Sequence, residues 1–191
     1  MKVTECSIIR DYIDMADEGW KQGWHERNGG NLSYRLQNDV VKKIQDEFSP
    51  RDWSPIGASV PELKNEYFVV KNEYFVVTGT GRYFRNIARH PEENIGIIEL
   101  DDKGENYRIV WGYEGGGRPT SELPSHLMNL EVKKGIDPDM RIVYHAHTPA
   151  LISLSFLMAA GGKKITMSDE DLRAIAKRYD LELDERFLYK K

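Results

Sequence analysis

The heptapeptide Lys-Asn-Glu-Tyr-Phe-Val-Val occurs twice in direct succession, at residues 64–70 and 71–77. Side chains alternate between the two faces of an extended strand, so a shift of seven residues turns each equivalent side chain to the opposite face. One straight strand therefore cannot hold both copies in a single register, and two copies are too few for a solenoid. The pattern predicts that one copy enters the central sheet while the other is extruded or added at an edge. The second copy is the better candidate for the sheet, because it leads straight into Thr78-Gly79-Thr80-Gly81.

Around this repeat the periodicity changes several times. Residues 7–21 place Ile9, Tyr12, Ile13, Ala16 and Trp20 at three- and four-residue steps, which predicts an amphipathic helix capped by Ser7. Asn28-Gly29-Gly30-Asn31 interrupts it, and Leu32, Tyr34 and Leu36 then alternate as in a strand. Residues 49–61 carry three prolines and a glycine and read as a loop. Residues 95–100 and 107–113 read as strands joined through Asp101-Asp102-Lys103-Gly104, a hairpin by its turn chemistry.

Three helical patterns follow. Pro119–Lys134 reads as a helix capped by Thr120 or Ser121 and ended by Gly135. A strand over 141–146 leads to Thr148 and Pro149, the start of a helix over about 149–159. Gly161-Gly162 breaks the chain before a last helix that opens at Ser168-Asp169-Glu170-Asp171 and keeps Leu172, Ile175, Ala176 and Tyr179 on one face. Without regular βαβ alternation, the expected class is α+β: a single layered α/β/α domain over 1–191, with a largely antiparallel central sheet flanked by helices.

Composition narrows the function. Charged residues make up 30% of the chain but are interspersed, with a net charge of −4, so there is no basic stripe for nucleic acid. No apolar run reaches the length of a membrane helix, and the start lacks the continuous apolar stretch of a signal peptide. Cys6 stands alone, which rules out a disulfide within the chain and fits a reducing, cytoplasmic setting.

The residues that carry chemistry lie at element ends. His145 and His147 are two apart, so in a strand they share a face, as two legs of a tetrahedral zinc site would. The same spacing also marks the polar face of an edge strand. Glu122 sits at a helix start, where it suits a cap as well as a catalytic carboxylate, and His126 follows on the same helix face. The segments at Asn28–Asn31, Thr78–Gly81 and Thr120-Ser121 offer small polar side chains and backbone N–H groups, the ingredients of an uncharged phosphate cradle.

Four segments, ERNGGNLSYRL, VVTGTGRYFRN, RPTSELPSH and YHAHTPALI, occur in this order and together resemble the class II sugar-phosphate aldolases. The resemblance runs from about residue 8 to 157 and again from about 161 to 180, and its pattern is nearest to the branch that acts on L-rhamnulose 1-phosphate. It implies cleavage of that sugar phosphate to dihydroxyacetone phosphate and L-lactaldehyde in a cytoplasmic homotetramer. By the same resemblance His145 and His147 are ligands of Zn2+ and Glu122 is the catalytic carboxylate. Asn28, Gly30, Asn31, Thr80, Thr120 and Ser121 fall where the family binds the substrate phosphate. Small sugar phosphates and sister subunits are the implied partners, with no nucleic acid and no membrane.

The resemblance also marks a gap. In the family, several dozen residues after the HAH helix carry more sheet, the third zinc histidine in a His-Gly motif and a further acid/base carboxylate. Here Phe156-Leu157-Met158-Ala159 runs almost directly into the last helix, an internal deletion near 157–161. The chain has only His25, His90, His126, His145 and His147, none followed by glycine. Glu122 or His126 is left to complete the metal site, or the site stays incomplete. A domain of the same lineage that binds phosphate or subunits without turnover is the competing expectation. A metal-binding β-barrel is disfavoured by the four helical segments.

Overall fold

The computed structural model of the chain describes residues 1–57 and 70–161 and, beyond them, Glu170, Arg173 and Lys177. Internal contacts divide the chain into two units, Met1–Pro149 and Ala150–Lys191.

The first unit is built on a six-stranded, wholly antiparallel sheet. Its strands are β1 (Asn31–Arg35), β2 (Ser54–Pro55), β3 (Tyr74–Thr78), β4 (Ile95–Leu100), β5 (Asn106–Gly112) and β6 (Ile142–His145), in the spatial order β2-β5-β4-β3-β1-β6. β4 and β5 form the expected hairpin, with Gly104 supplying a positive φ of 70° in the turn. β3 comes from the second heptapeptide copy and lies between β1 and β4, so the sheet has no vacant position beside it. Of the first copy, Val70 is buried and donates its N–H to Glu131 Oε2 at 3.1 Å; residues 64–69 lie outside the described residues.

Alternation along β3 and β4 separates two cores. Val76, Ile95 and Ile97 face α1 (Ser7–Lys21), α2 (Asn38–Ile44) and α3 (Phe84–Ile87), packing with Ile9, Ala16, Ile44 and Ile87. Phe75, Val77, Ile98 and Leu100 face the other way, toward Leu123, Leu127 and Leu130 of α5 (Leu123–Ile136). The expected α/β/α layering follows from this two-sided burial. Leu127 and Leu130 are fully buried, and each contributes roughly 1.5–3 kcal/mol to holding α5 on its face of the sheet.

Several local expectations are corrected. Ser7 is the first helical residue of α1 and not its cap; Cys6 occupies the cap position with no side-chain bond. Trp20 is exposed because the buried stripe passes instead through Gly19. Neither Thr120 nor Ser121 holds the cap position of α5, which belongs to Glu122, although Thr120 Oγ1 accepts the Glu122 N–H at 3.3 Å. Gly135 does not end that helix, which continues to Ile136, where Asp137 N–H still bonds Lys133 O at 2.8 Å. The strand read at 141–146 is limited to the four residues paired with β1. The loop at 49–61 contains β2, and α2, α3 and α4 (Pro91–Asn94) add short elements that the periodicity did not announce.

In the second unit, α6 (Pro149–Gly161) begins at the expected proline and is apolar nearly all round. The helix expected from Ser168 onward, with Leu172, Ile175, Ala176 and Tyr179, lies outside the described residues. Glu170, Arg173 and Lys177 alone are described there, helical and exposed.

Candidate functional site

One cleft of about 430 Å³ collects Asn28, Gly30, Asn31, Thr80, Thr120, Ser121, Glu122 and His147, which come from four separate segments of the chain. Its size suits a small phosphorylated sugar. Antiparallel pairing brings the segments together. β1 begins at Asn31 opposite His145 of β6, so the loop before β1 and the histidine end of β6 share one end of the sheet. β3 ends at Thr78 beside them, because Thr78 Oγ1 accepts the Leu32 N–H at 3.1 Å. The segment before α5 is laid along the loop after β3 by a bridge between Gly79 and Pro119. Two further bonds, Thr80 N–H to Arg118 O at 3.0 Å and Thr120 N–H to Thr78 O at 2.9 Å, complete that seam.

Two glycines fix the first loop. Gly30 has a φ of +78°, and a Cβ there would lie 2.5 Å from the His145 carbonyl oxygen and 2.7 Å from His25 Nδ1. Gly29 lies so close under His147 that a Cβ would meet its Nδ1 at 2.6 Å. Both positions exclude larger residues, one by conformation and contact, the other by contact. His147 is tied from the other side by its N–H to Trp24 O at 2.8 Å.

At the histidine end, His145 and His147 have ring centroids 4.8 Å apart, tilted by 56°. Only His145 lies within β6. His145 Nδ1 and Glu122 Oε2 are 2.8 Å apart, and a carboxylate only accepts, so His145 donates from Nδ1 and keeps its Nε2 lone pair when neutral. Partial burial pushes the Glu122 carboxyl up. A side-chain hydrogen bond from Asn31, with the charge and hydrogen bond of His145, outweighs it and holds Glu122 below the ordinary carboxylate range. The carboxylate is thus ionised at neutral pH and turned toward the histidines.

His126 occupies a different place from the one its spacing suggests. It is 2% exposed, and its nitrogens face Ser33 Oγ, 2.7 Å from Nδ1, and Asn31 Oδ1, bonded to Nε2. Burial pushes its pKa down to about 4, against the opposing pull of Glu122, while His145 and Lys133 lower it further. Both nitrogens are engaged, which leaves neither for a metal. Among the described residues no group of three or more His, Cys, Asp or Glu is arranged to hold a metal ion. Two imidazoles and a carboxylate are suitable donors for zinc, but they do not close a three-ligand site here.

Sequence reasoning missed His25. Its Nδ1 donates to Gly29 O at 2.9 Å and its Nε2 accepts from Tyr144 Oη at 2.7 Å, while its ring stacks on Phe84 at 3.5 Å with planes 3° apart. It clamps the glycine loop to β6, and burial lowers its pKa. A lone histidine between a helix end and a loop has no periodic signature, so nothing in the sequence marked it.

The family model of the class II aldolase and adducin N-terminal domain matches residues 10–184. This chain belongs to that family. Its class II aldolase fold is shared with a solved sugar-phosphate aldolase from Thermotoga maritima, at a TM-score of 0.61 and 26% identity over 76% of this chain and 55% of that one. Among curated relatives, the rhamnulose-1-phosphate aldolase of Mannheimia succiniciproducens is 39% identical over 83% of this chain and 57% of its own length. That of Escherichia coli O157:H7 is 34% identical over 82% and 55%. The chain thus spans little more than half the length of the curated relatives it matches. Class II aldolases are in general metal-dependent enzymes. Among the described residues no helix is long and apolar enough to cross a membrane.

Proposed function

We propose that this chain is a zinc-dependent aldolase that cleaves L-rhamnulose 1-phosphate to dihydroxyacetone phosphate and L-lactaldehyde, with low activity. The observation that carries the proposal is the meeting of Glu122 with His145 at the mouth of the cleft formed by the two glycine loops and Thr120-Ser121. In this reading the substrate phosphate is held by Asn28, Gly30 and Asn31 of the first loop, by Thr80, and by Thr120 and Ser121 before α5. The α5 N-terminus adds its partial positive charge. His145 and His147 are the protein ligands of Zn2+, which, when bound, supplies Lewis-acid stabilisation of negative charge.

The reaction needs one proton moved at carbon. The C4 hydroxyl gives up its proton to the ionised Glu122 carboxylate as the C3–C4 bond breaks, and its electron pair stays on C3 as an enediolate. The departing fragment takes a C4 aldehyde, and Glu122 returns a proton to C3. A homotetramer in the cytoplasm is the setting, by analogy with the family.

One observation favours a second reading, a phosphate-binding domain that does not turn over: the described residues offer two histidines and no third metal ligand. If Glu122 fills that gap it is no longer a base, so metal binding and turnover compete for one residue. The test is a zinc titration with a coupled assay for dihydroxyacetone phosphate, on this chain and on Glu122→Gln. Slow, zinc-dependent cleavage that Glu122→Gln abolishes supports the aldolase. Zinc binding without any cleavage supports the second reading.

A further inference from the structure

His25 is buried behind the first glycine loop and touches three of the segments that frame the cleft. The residue before it, Trp24, is pinned on both sides: its N–H bonds Gly19 O at 3.1 Å, and its carbonyl takes the His147 N–H at 2.8 Å. A Cβ on Gly19 would collide with Tyr144 Oη, so the bare glycine on α1 lets that hydroxyl reach His25 Nε2 at 2.7 Å. Phe84 of α3, which follows the Thr78–Gly81 loop, lies flat against the ring. A carbonyl oxygen only accepts, so Nδ1 carries the proton in its 2.9 Å contact with Gly29 O.

That bond has a consequence on the far side of the peptide. The Gly29–Gly30 peptide is planar and trans, so its N–H points opposite to its C=O. With the carbonyl turned back to buried His25, the Gly30 N–H is turned away from it, to the side on which both glycines line the cleft. Among the described residues no protein acceptor takes that N–H. A peptide with glycine on both sides is the one most free to flip, and a buried donor on its carbonyl removes that freedom. We propose that His25 is a positioning residue: by donating to Gly29 O it holds the Gly29–Gly30 peptide with its N–H toward the cleft, as a donor for an anionic phosphoryl group. This rests on the reading of the cleft as a phosphate site, and it adds to that reading a residue that touches no substrate.

The test begins with the unaltered, metal-free chain. Nitrogen-15 NMR of the imidazole should show His25 with a protonated Nδ1; a bare Nδ1 overturns the proposal outright. Two variants then separate the donor from the ring. His25→Phe keeps a ring against Phe84 but cannot donate, whereas His25→Asn carries an N–H near the place of Nδ1 without the ring. The carbon-13 signal of the Gly29 carbonyl should move in His25→Phe and return toward its original position in His25→Asn. An unmoved Gly29 signal in a folded His25→Phe chain contradicts the assignment. Titration with inorganic phosphate, followed at the Gly30 amide signal, reads the consequence. His25→Phe should weaken binding by about 10- to 100-fold, the worth of one hydrogen bond to a charged group, and His25→Asn should recover most of it. A Gly30 amide that stays unmoved while phosphate binds overturns the proposal. Equal weakening in both variants counts against it too, because the loss then follows the ring and not the donor. Absence of phosphate binding in the unaltered chain counts against the phosphate reading alone, because the tautomer and carbonyl signals still decide whether His25 holds the peptide.

Discussion

The two ends of the cleft are built in different ways. At the loop end, Gly30 is fixed by its positive φ and its close approach to the His145 carbonyl, Thr120 N–H bonds Thr78 O, and Thr78 Oγ1 accepts the Leu32 N–H, all inside one sheet-centred unit. At the histidine end, β6 is the edge strand of the described sheet, paired only with β1, and His145 and Glu122 are both substantially exposed. An anion cradle needs only backbone and hydroxyl groups from neighbouring strand ends, and one folded unit can supply them. A catalytic zinc site needs three side chains converging on a point, and the strand edge supplies two histidines. The described residues therefore supply an anion cradle more readily than a three-ligand metal site.

Substitutions at the two ends should differ accordingly. Gly30→Ala should cost the most stability, roughly 2–5 kcal/mol from left-handed backbone strain and collision with the His145 carbonyl, read as a lower urea midpoint. A loss below about 1 kcal/mol would show that the loop end is not rigid. Next comes the pH dependence of His126, buried behind the loop end against Asn31 and Ser33. Its native pKa of about 4 lies below the ordinary value of 6.5, so the unfolded chain takes up the proton first as pH falls. Stability from this group should fall by roughly 3 kcal/mol from pH 7 to pH 4, and that part of the slope should be absent in His126→Gln, by urea unfolding across that range. Thr78→Val should cost about 1–3 kcal/mol by leaving the buried Leu32 N–H without its acceptor. His147→Ala should change the urea midpoint least, by less than about 1 kcal/mol, since its ring only covers Gly29 at the surface of the cleft. A larger loss there would make the histidine end as structural as the other.

Much of the fold was legible because local chemistry announces it. The three- and four-residue steps of Ile9, Tyr12 and Ala16 gave α1, and the aspartate-glycine turn at 101–104 gave the β4–β5 hairpin. The odd period of the heptapeptide favoured the second copy as sheet, and Phe75 and Val77 do pack opposite Val76. The candidate site residues were legible as types at element ends. Their connections were not. His126 meets Asn31 across 95 positions and His25 meets Tyr144 across 119, distances over which no periodicity carries information. The elements that went unread are short: α2 spans seven residues, α3 and α4 four each and β2 two, too few for a period to show clearly.

Under the proposal, the phosphate end is complete among the described residues and the metal end, with two histidines, is not. Calorimetric titration of the metal-free chain with dihydroxyacetone phosphate, and separately with zinc, tests it directly. The account predicts that dihydroxyacetone phosphate binds at one site without metal, and that zinc binds more weakly than the roughly 10 kcal/mol typical of closed structural zinc sites. Tight, stoichiometric zinc together with phosphate binding that appears only after zinc is added would contradict it.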